Sequence, residues 1–137
     1  MIEDPDNPEA KGALGKITIG DFREDIFVNL CSWNQDRYRQ QWKRAVSRIV
    51  SGESQSALIV EYGDPPDLNY VMLWPMFRVA DAVYIQNRML FFSQLTIPFS
   101  PDSPWDSIED RKTVNPEGQQ ISEWRTSMDS LRDFLTR

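Results

Sequence analysis

Between Ser56 and Phe92 the sequence holds three apolar runs set apart by turn residues, and this arrangement limits the chain to a sheet built from hairpins. The runs are Ser56–Tyr62, Leu68–Phe77, and Ala82–Gln86 continuing into Met89–Phe92. All are rich in β-branched and aromatic residues, which suit a pleated, half-buried surface. Gly63-Asp64-Pro65-Pro66-Asp67 lies between the first two and is turn chemistry. Ala80-Asp81 is a short break between the second and third, which predicts a hairpin. Pro75 cannot donate to a sheet ladder, so a bulge is expected near Trp74-Pro75, with Met76-Phe77 resuming the strand.

The flanking segments arrange themselves around this block. Residues 1–15, with Asp4-Pro5, Asn7-Pro8, Gly12 and Gly15 and little apolar content, read as a flexible acidic tail. Lys16–Gly20 alternates polar and apolar residues and predicts a short strand, broken at Gly20-Asp21. Phe22–Leu30 ends as a second strand, with an ambiguous beginning. A long helix then runs to about Val50, capped by Ser32 in a capping box with Gln35 or by Asn34. Tyr38, Trp42, Ala45, Val46 and Ile49 make one apolar stripe along it, and Ser51-Gly52 ends it. Its outer face carries Arg37, Arg39, Lys43, Arg44 and Arg48, a basic island in an acidic chain. That face reads as a solvated surface that complements acids on neighbouring elements, with phosphate binding as the alternative.

Beyond the block, Leu95, Ile97 and Phe99 alternate between the breakers Pro98 and Pro101, which admits a further short strand. Ser103-Pro104-Trp105-Asp106 has the chemistry of a helix start, and a short helix is expected near 103–111, with Asp106, Glu109 and Asp110 on one face. Val114–Gly118 predicts a turn and Gln119–Arg125 a final strand. A C-terminal helix follows, capped by Thr126 or Ser127, with Met128, Leu131, Phe134 and Leu135 on its apolar stripe. The reading is α+β: an antiparallel sheet, a long helix after the second strand, a short helix and a C-terminal helix, in one domain spanning 16–137.

Composition narrows function mainly by exclusion. The 137 residues contain one cysteine, Cys31, read as a small buried side chain, so no disulfide forms within the chain, which fits a reducing cytoplasm. The apolar run at Met89–Phe92 falls far short of the roughly 18 residues of a membrane span, so no membrane role is expected. There is no histidine, which removes the commonest general base and zinc ligand together, and no glycine-rich phosphate loop. No metal or cofactor is expected. With 21 acids against 15 bases, the net charge of −6 disfavours nucleic-acid backbones and favours a basic partner. Two other functions remain as alternatives. One is a single-stranded nucleic-acid binder that uses the aromatic residues and the basic helix. The other is a small enzyme with a carboxylate pair, Asp64 and Asp67 or Asp106 and Asp110.

Four ordered patterns point further. They are Leu30-Cys31-Ser32-Trp33 leading into the helix with Tyr38 and Trp42; Ser56-Ala57-Leu58; Val83-Tyr84-Ile85-Gln86-Asn87; and Arg111-Lys112-Thr113, then Gly118, then Ile121-Ser122-Glu123-Trp124. Together, from about Lys16 to Leu135, they resemble the immunity proteins of bacterial contact-dependent growth inhibition systems. Cys31 departs from that pattern, standing where an aromatic residue is expected. The resemblance implies a sandwich-like antiparallel domain that acts in the cytoplasm, without catalysis. It implies a monomer that binds, one to one, the C-terminal toxin domain of a partner delivery protein, and a toxin that is a nuclease with a basic cleft. Trp33, Tyr38, Trp42, Tyr84 and Trp124 read as framework. The expected toxin-binding face is acidic, built from Asp102, Asp106, Glu109 and Asp110 around Trp105 and joined by Glu61, Asp64 and Asp67. Trp105 either anchors the partner or packs inward.

Overall fold

The computed structural model describes residues 34–62 and 69–136 in full, together with the backbone of three N-terminal strands, β1 (Ile2–Glu3), β2 (Gly12–Ile19) and β3 (Phe22–Asn29). These three form one antiparallel sheet in the order β1-β2-β3. Ile2 and Glu3 pair with Gly15 and Leu14, so backbone pairing reaches well into the stretch the sequence assigns to a tail. Gly12–Gly15, with only Ala13 and Leu14 apolar between two glycines, pairs with β3 along its whole length. Phe22–Asn29 is strand from its first residue, which settles its ambiguous beginning. The segment Leu30–Trp33, including Cys31, lies outside the described residues, as do Asp64 and Asp67.

Helix α1 (Gln35–Val50) is capped by Asn34, whose Oδ1 accepts the Arg37 N–H at 2.9 Å. It ends at Ser51, where Gly52 adopts φ +117°, a conformation open to glycine at little cost. All five residues of the sequence-read stripe are buried, and Gln41 is buried with them.

The second sheet has five antiparallel strands: β4 (Gln55–Glu61), β5 (Tyr70–Val79), β6 (Ala82–Gln86), β7 (Arg88–Phe91) and β8 (Glu123–Ser127). Their order is β4-β5-β6-β8, with β7 paired to β5 beyond the end of β6. The Ala80-Asp81 hairpin forms as expected, with Ala80 at φ +55°. From it, β6 and β7 run along β5 in one unbroken register, from Val79↔Ala82 to Tyr70↔Phe91. The expected bulge at Trp74-Pro75 is not there. The irregularity lies in β4, between Ile59 and Glu61, while Pro75 pairs in register with Ala57. What Pro75 does is divide β6 from β7, because the missing N–H falls on the edge that faces them.

Helix α2 (Met128–Leu135) is capped by Ser127, whose Oγ accepts the Ser130 N–H at 3.1 Å. Its Met128 and Leu131 join the residues of α1, β4, β5 and β6 in one buried cluster. Each large apolar side chain fully buried in such a cluster contributes about 1.5–3 kcal/mol relative to exposure.

Three other expectations are corrected. No strand forms at 95–99; Phe99 packs its ring against Tyr62 and Phe92, with centroids 6.1 and 5.8 Å away. The helix near 103–111 is a single 3-10 turn, Pro104–Ser107, without a side-chain cap from Ser103, and Ile108 is already extended. So short a segment gains too few hydrogen bonds to propagate a helix. The last strand begins at Glu123 and not at Gln119, because residues 119–121 pair with 113–115 in a small hairpin of their own.

Candidate functional site

The free edge of β4 is closed by side chains of α1. Trp42 Nε1 donates to the Ile59 carbonyl at 2.7 Å. Gln41 Nε2 donates to the Ala57 carbonyl at 2.9 Å, and its Oε1 accepts the Ile59 N–H at 2.8 Å. Past the irregularity in β4, the Tyr38 hydroxyl accepts the Tyr62 N–H at 3.0 Å and donates to the Tyr62 carbonyl at 3.3 Å. Ser56 Oγ adds a bond back to the Ala45 carbonyl at 2.7 Å. An open strand edge invites pairing with other chains. Here the helix supplies the partners a neighbouring strand would have given. Tyr38 and Trp42 are both buried, and both make polar contacts with the β4 backbone or the residue that follows it.

The segment from Ser100 to Lys112 carries most of the acids singled out in the sequence, and it is tied down along its length. Asp102 lies 3.9 Å from Arg37 of α1. Trp105 is half-buried, with the Arg48 guanidinium 4.1 Å above its ring centroid and that of Arg44 at 5.9 Å. Asp110 accepts from Gln55 Nε2 at 2.9 Å. Glu109 meets Lys112 at 3.0 Å and Arg88 at 3.9 Å. The hydrogen bond from Lys112, and then its charge, hold the Glu109 carboxyl below the usual carboxylate range. Asp106 is exposed. Of the basic residues of α1, Arg37 meets a strap acid, Asp102, whereas Arg44 and Arg48 lie over the Trp105 ring. Trp105 faces inward onto arginine, which occupies one side of its ring. Glu61 stands apart, half-buried at the end of β4, and accepts from the Tyr70 hydroxyl at 3.3 Å. Burial first, and Glu61 second, raise the Tyr70 phenol above its ordinary value.

Where the strap meets the sheet, a polar clamp joins the strap to β6 and β8. Arg111 grips Glu123 with two bonds, Nη2 at 2.7 Å and Nε at 2.9 Å, and its guanidinium lies 4.1 Å from the Tyr84 ring centroid. Gln86, fully buried, donates from Nε2 to Glu123 at 2.8 Å and to the Lys112 carbonyl at 2.9 Å. The Arg111 bond depresses the Glu123 carboxyl, and the same bond raises Arg111. Such bidentate, charge-assisted pairs fix geometry as well as energy. Trp124 packs against Trp74 with ring centroids 6.2 Å apart. Gln41 has no role in the sequence reading, and Gln86 and Glu123 enter it only as members of the resemblance patterns. The one signal for Gln41 was a polar residue lying between Tyr38 and Trp42 beside the apolar stripe.

Among the described residues, no three His, Cys, Asp or Glu side chains are placed to hold a metal ion, and no helix is long and apolar enough to cross a membrane. The strap and clamp present charged and aromatic groups held by pairs within the protein itself.

Comparison with known proteins gives a consistent result. The family model described as the CdiI N-terminal domain matches residues 28–134. The immunity protein CdiI of Enterobacter cloacae subsp. cloacae is 31% identical over 118 residues, which cover 86% of this chain and 81% of that protein. A chain in a solved CdiA-CT/CdiI toxin and immunity complex from Enterobacter cloacae has the same fold, with a TM-score of 0.84 and 28% identity over 99% of this chain and 95% of the other.

Proposed function

The chain belongs to the CdiI family of immunity proteins of contact-dependent growth inhibition systems, and from that premise we propose that it binds and neutralises the C-terminal toxin domain of a cognate CdiA-type protein. The observation that carries this reading is the match along nearly the whole chain to a protein solved in a toxin and immunity complex. The complex is one to one, forms in the cytoplasm and involves no catalysis by the immunity protein. The toxin is a nuclease. The net charge of −6 supports that identity, because an acidic inhibitor complements a cleft built for phosphates.

On this reading the acids of the strap, Asp102, Asp106, Glu109 and Asp110, form the charged rim that steers the toxin in. Trp105, braced by Arg48, holds the strap in place. Co-expressed with the neighbouring toxin domain in a sensitive cell, the chain restores growth; arrest in the presence of abundant folded protein overturns the reading. Rim charges act mainly on association rate and its salt dependence. Changing Asp106, Glu109 and Asp110 to Lys therefore slows association and flattens its response to salt. An unchanged rate in low salt would remove the strap from the interface.

A further inference from the structure

We propose that the outer edge of β7 is a vacant strand position that receives an extended segment of the toxin, added to the five-stranded sheet as a further strand. This deepens the toxin-binding reading above and rests on it.

The vacancy follows from how β8 begins. β8 lies beside β6, from Glu123↔Gln86 to Ser127↔Ala82. Continued backwards in the same register, residues 118–121 would lie beside β7. They turn away instead: Ile121 N–H donates to the Thr113 carbonyl at 2.8 Å, and Asn115 N–H to the Gln119 carbonyl at 2.8 Å. The Arg111–Glu123–Gln86 clamp fixes the point of departure. Among the described residues, β7 pairs with β5 alone.

The backbone pattern shows what the vacant position asks for. Phe92 N–H donates to the Asn69 carbonyl at 3.0 Å, which extends the β5–β7 register by one pair and fixes its phase. In an antiparallel ladder alternate residues bond to the same neighbour. Arg88 and Leu90 therefore bond inward to β5, and Met89 and Phe91 direct their N–H and C=O groups outward. The same two residues carry exposed apolar side chains, 47% and 39% accessible. On their face of the sheet they continue the row formed by Met72 and Tyr70. Directional backbone groups beside exposed apolar side chains fit an extended segment with apolar residues on one face.

Charge selects the occupant. A second copy of this chain would bring together two bodies of net charge −6, whereas a cationic toxin is drawn in. The strap also reaches this edge, since Glu109 lies 3.9 Å from Arg88, so the acidic rim and the vacant position form one continuous surface. The incoming segment thus has alternating apolar residues and a basic residue facing Glu109.

Met89→Pro tests this directly. It removes one outward N–H and sets a ring in the path of a new strand, yet leaves the inward bonds of Arg88 and Leu90 intact; proline is tolerated at such edge positions. We expect the folded variant to bind the toxin domain on the order of tenfold more weakly or worse, the loss of one or two hydrogen bonds and their packing. Amide hydrogen exchange on the wild-type protein supplies a second measurement that does not depend on how the variant folds. Met89 and Phe91 amides should exchange quickly in the free protein and become protected in the complex, with Arg88 and Leu90 protected in both. Wild-type affinity in a folded Met89→Pro variant, or Met89 and Phe91 amides left unprotected in a formed complex, overturns the proposal and leaves toxin binding standing. Protection that rises with protein concentration and without toxin assigns the edge to self-association and also overturns it. A wild-type chain that does not bind the toxin domain at all refutes the underlying reading.

Discussion

The five-stranded sheet treats two of its edges, β4 and β7, in opposite ways. Along β4, three side chains of α1 satisfy the outward backbone groups of Ala57, Ile59 and Tyr62. Along β7, the outward groups belong to Met89 and Phe91, whose side chains are exposed as well. Unprotected edges carry a risk of unwanted pairing. One edge is sealed with buried Tyr, Gln and Trp, and a four-residue edge is left open, which on the proposal above separates stability from recognition. The sealed edge is part of the core, and the open edge spans four residues.

The contrast is broken most severely at Trp42. Trp42→Ala removes a buried indole together with its bond to the Ile59 carbonyl, and a loss of about 3–5 kcal/mol is expected in denaturant unfolding. If the variant instead unfolds like the wild type and only toxin binding fails, Trp42 belongs to the interface and not to the core. Gln41→Leu keeps the volume but strands the Ala57 carbonyl and the Ile59 N–H, at about 1–3 kcal/mol for each buried group left unpaired. A neutral result would mean that the β4 edge does not depend on the helix.

How far the sequence discloses each edge follows from what makes it. The sealed edge is legible in outline because Tyr38, Trp42, Ala45, Val46 and Ile49 repeat with helical period. Its polar component is not, because Gln41 is recognisable as a strand-capping residue only once β4 lies beside it. The open edge was hidden for a different reason. Gln119–Arg125 has strand-like composition, and only tertiary contacts, the pairing of 119–121 with 113–115 and the grip of Arg111 and Gln86 on Glu123, set the start of pairing with β6 at Glu123. The strap at 100–112 shows the same limit. Its acids are plain in the sequence, but helical spacing put Asp106, Glu109 and Asp110 on one face, whereas contacts with Gln55, Arg88 and Lys112 override that spacing in a segment too short for a helix.

Smaller effects sharpen the comparison at the clamp and the hairpin. Glu123→Gln weakens the bidentate pair that parts β8 from the β7 edge and costs about 1–2 kcal/mol near neutral pH. Because the folded-state Glu123 carboxyl is depressed, its stabilisation is fully present above the ordinary carboxylate range and is lost as pH falls through the lowered value. The gap between wild type and Glu123→Gln should therefore close in acid, and a gap that stays constant would show that the pair is not ionised in the way described. At the hairpin, Ala80 sits at φ +55°, a left-handed conformation that disfavours a Cβ. Ala80→Gly relieves that cost against the entropy of glycine, for a net gain of about 0.5 kcal/mol in thermal unfolding. Destabilisation there would argue against the hairpin geometry that sets the register of both β6 and β7.

The difference between the two edges is tested most directly by residue-resolved amide hydrogen exchange of the free protein. Ile59 and Tyr62 should exchange as slowly as interior amides although they point away from the sheet, and Met89 and Phe91 should exchange quickly between protected Arg88 and Leu90. Equal protection at Ile59 and Met89 would contradict the account, because the two edges would then be closed alike.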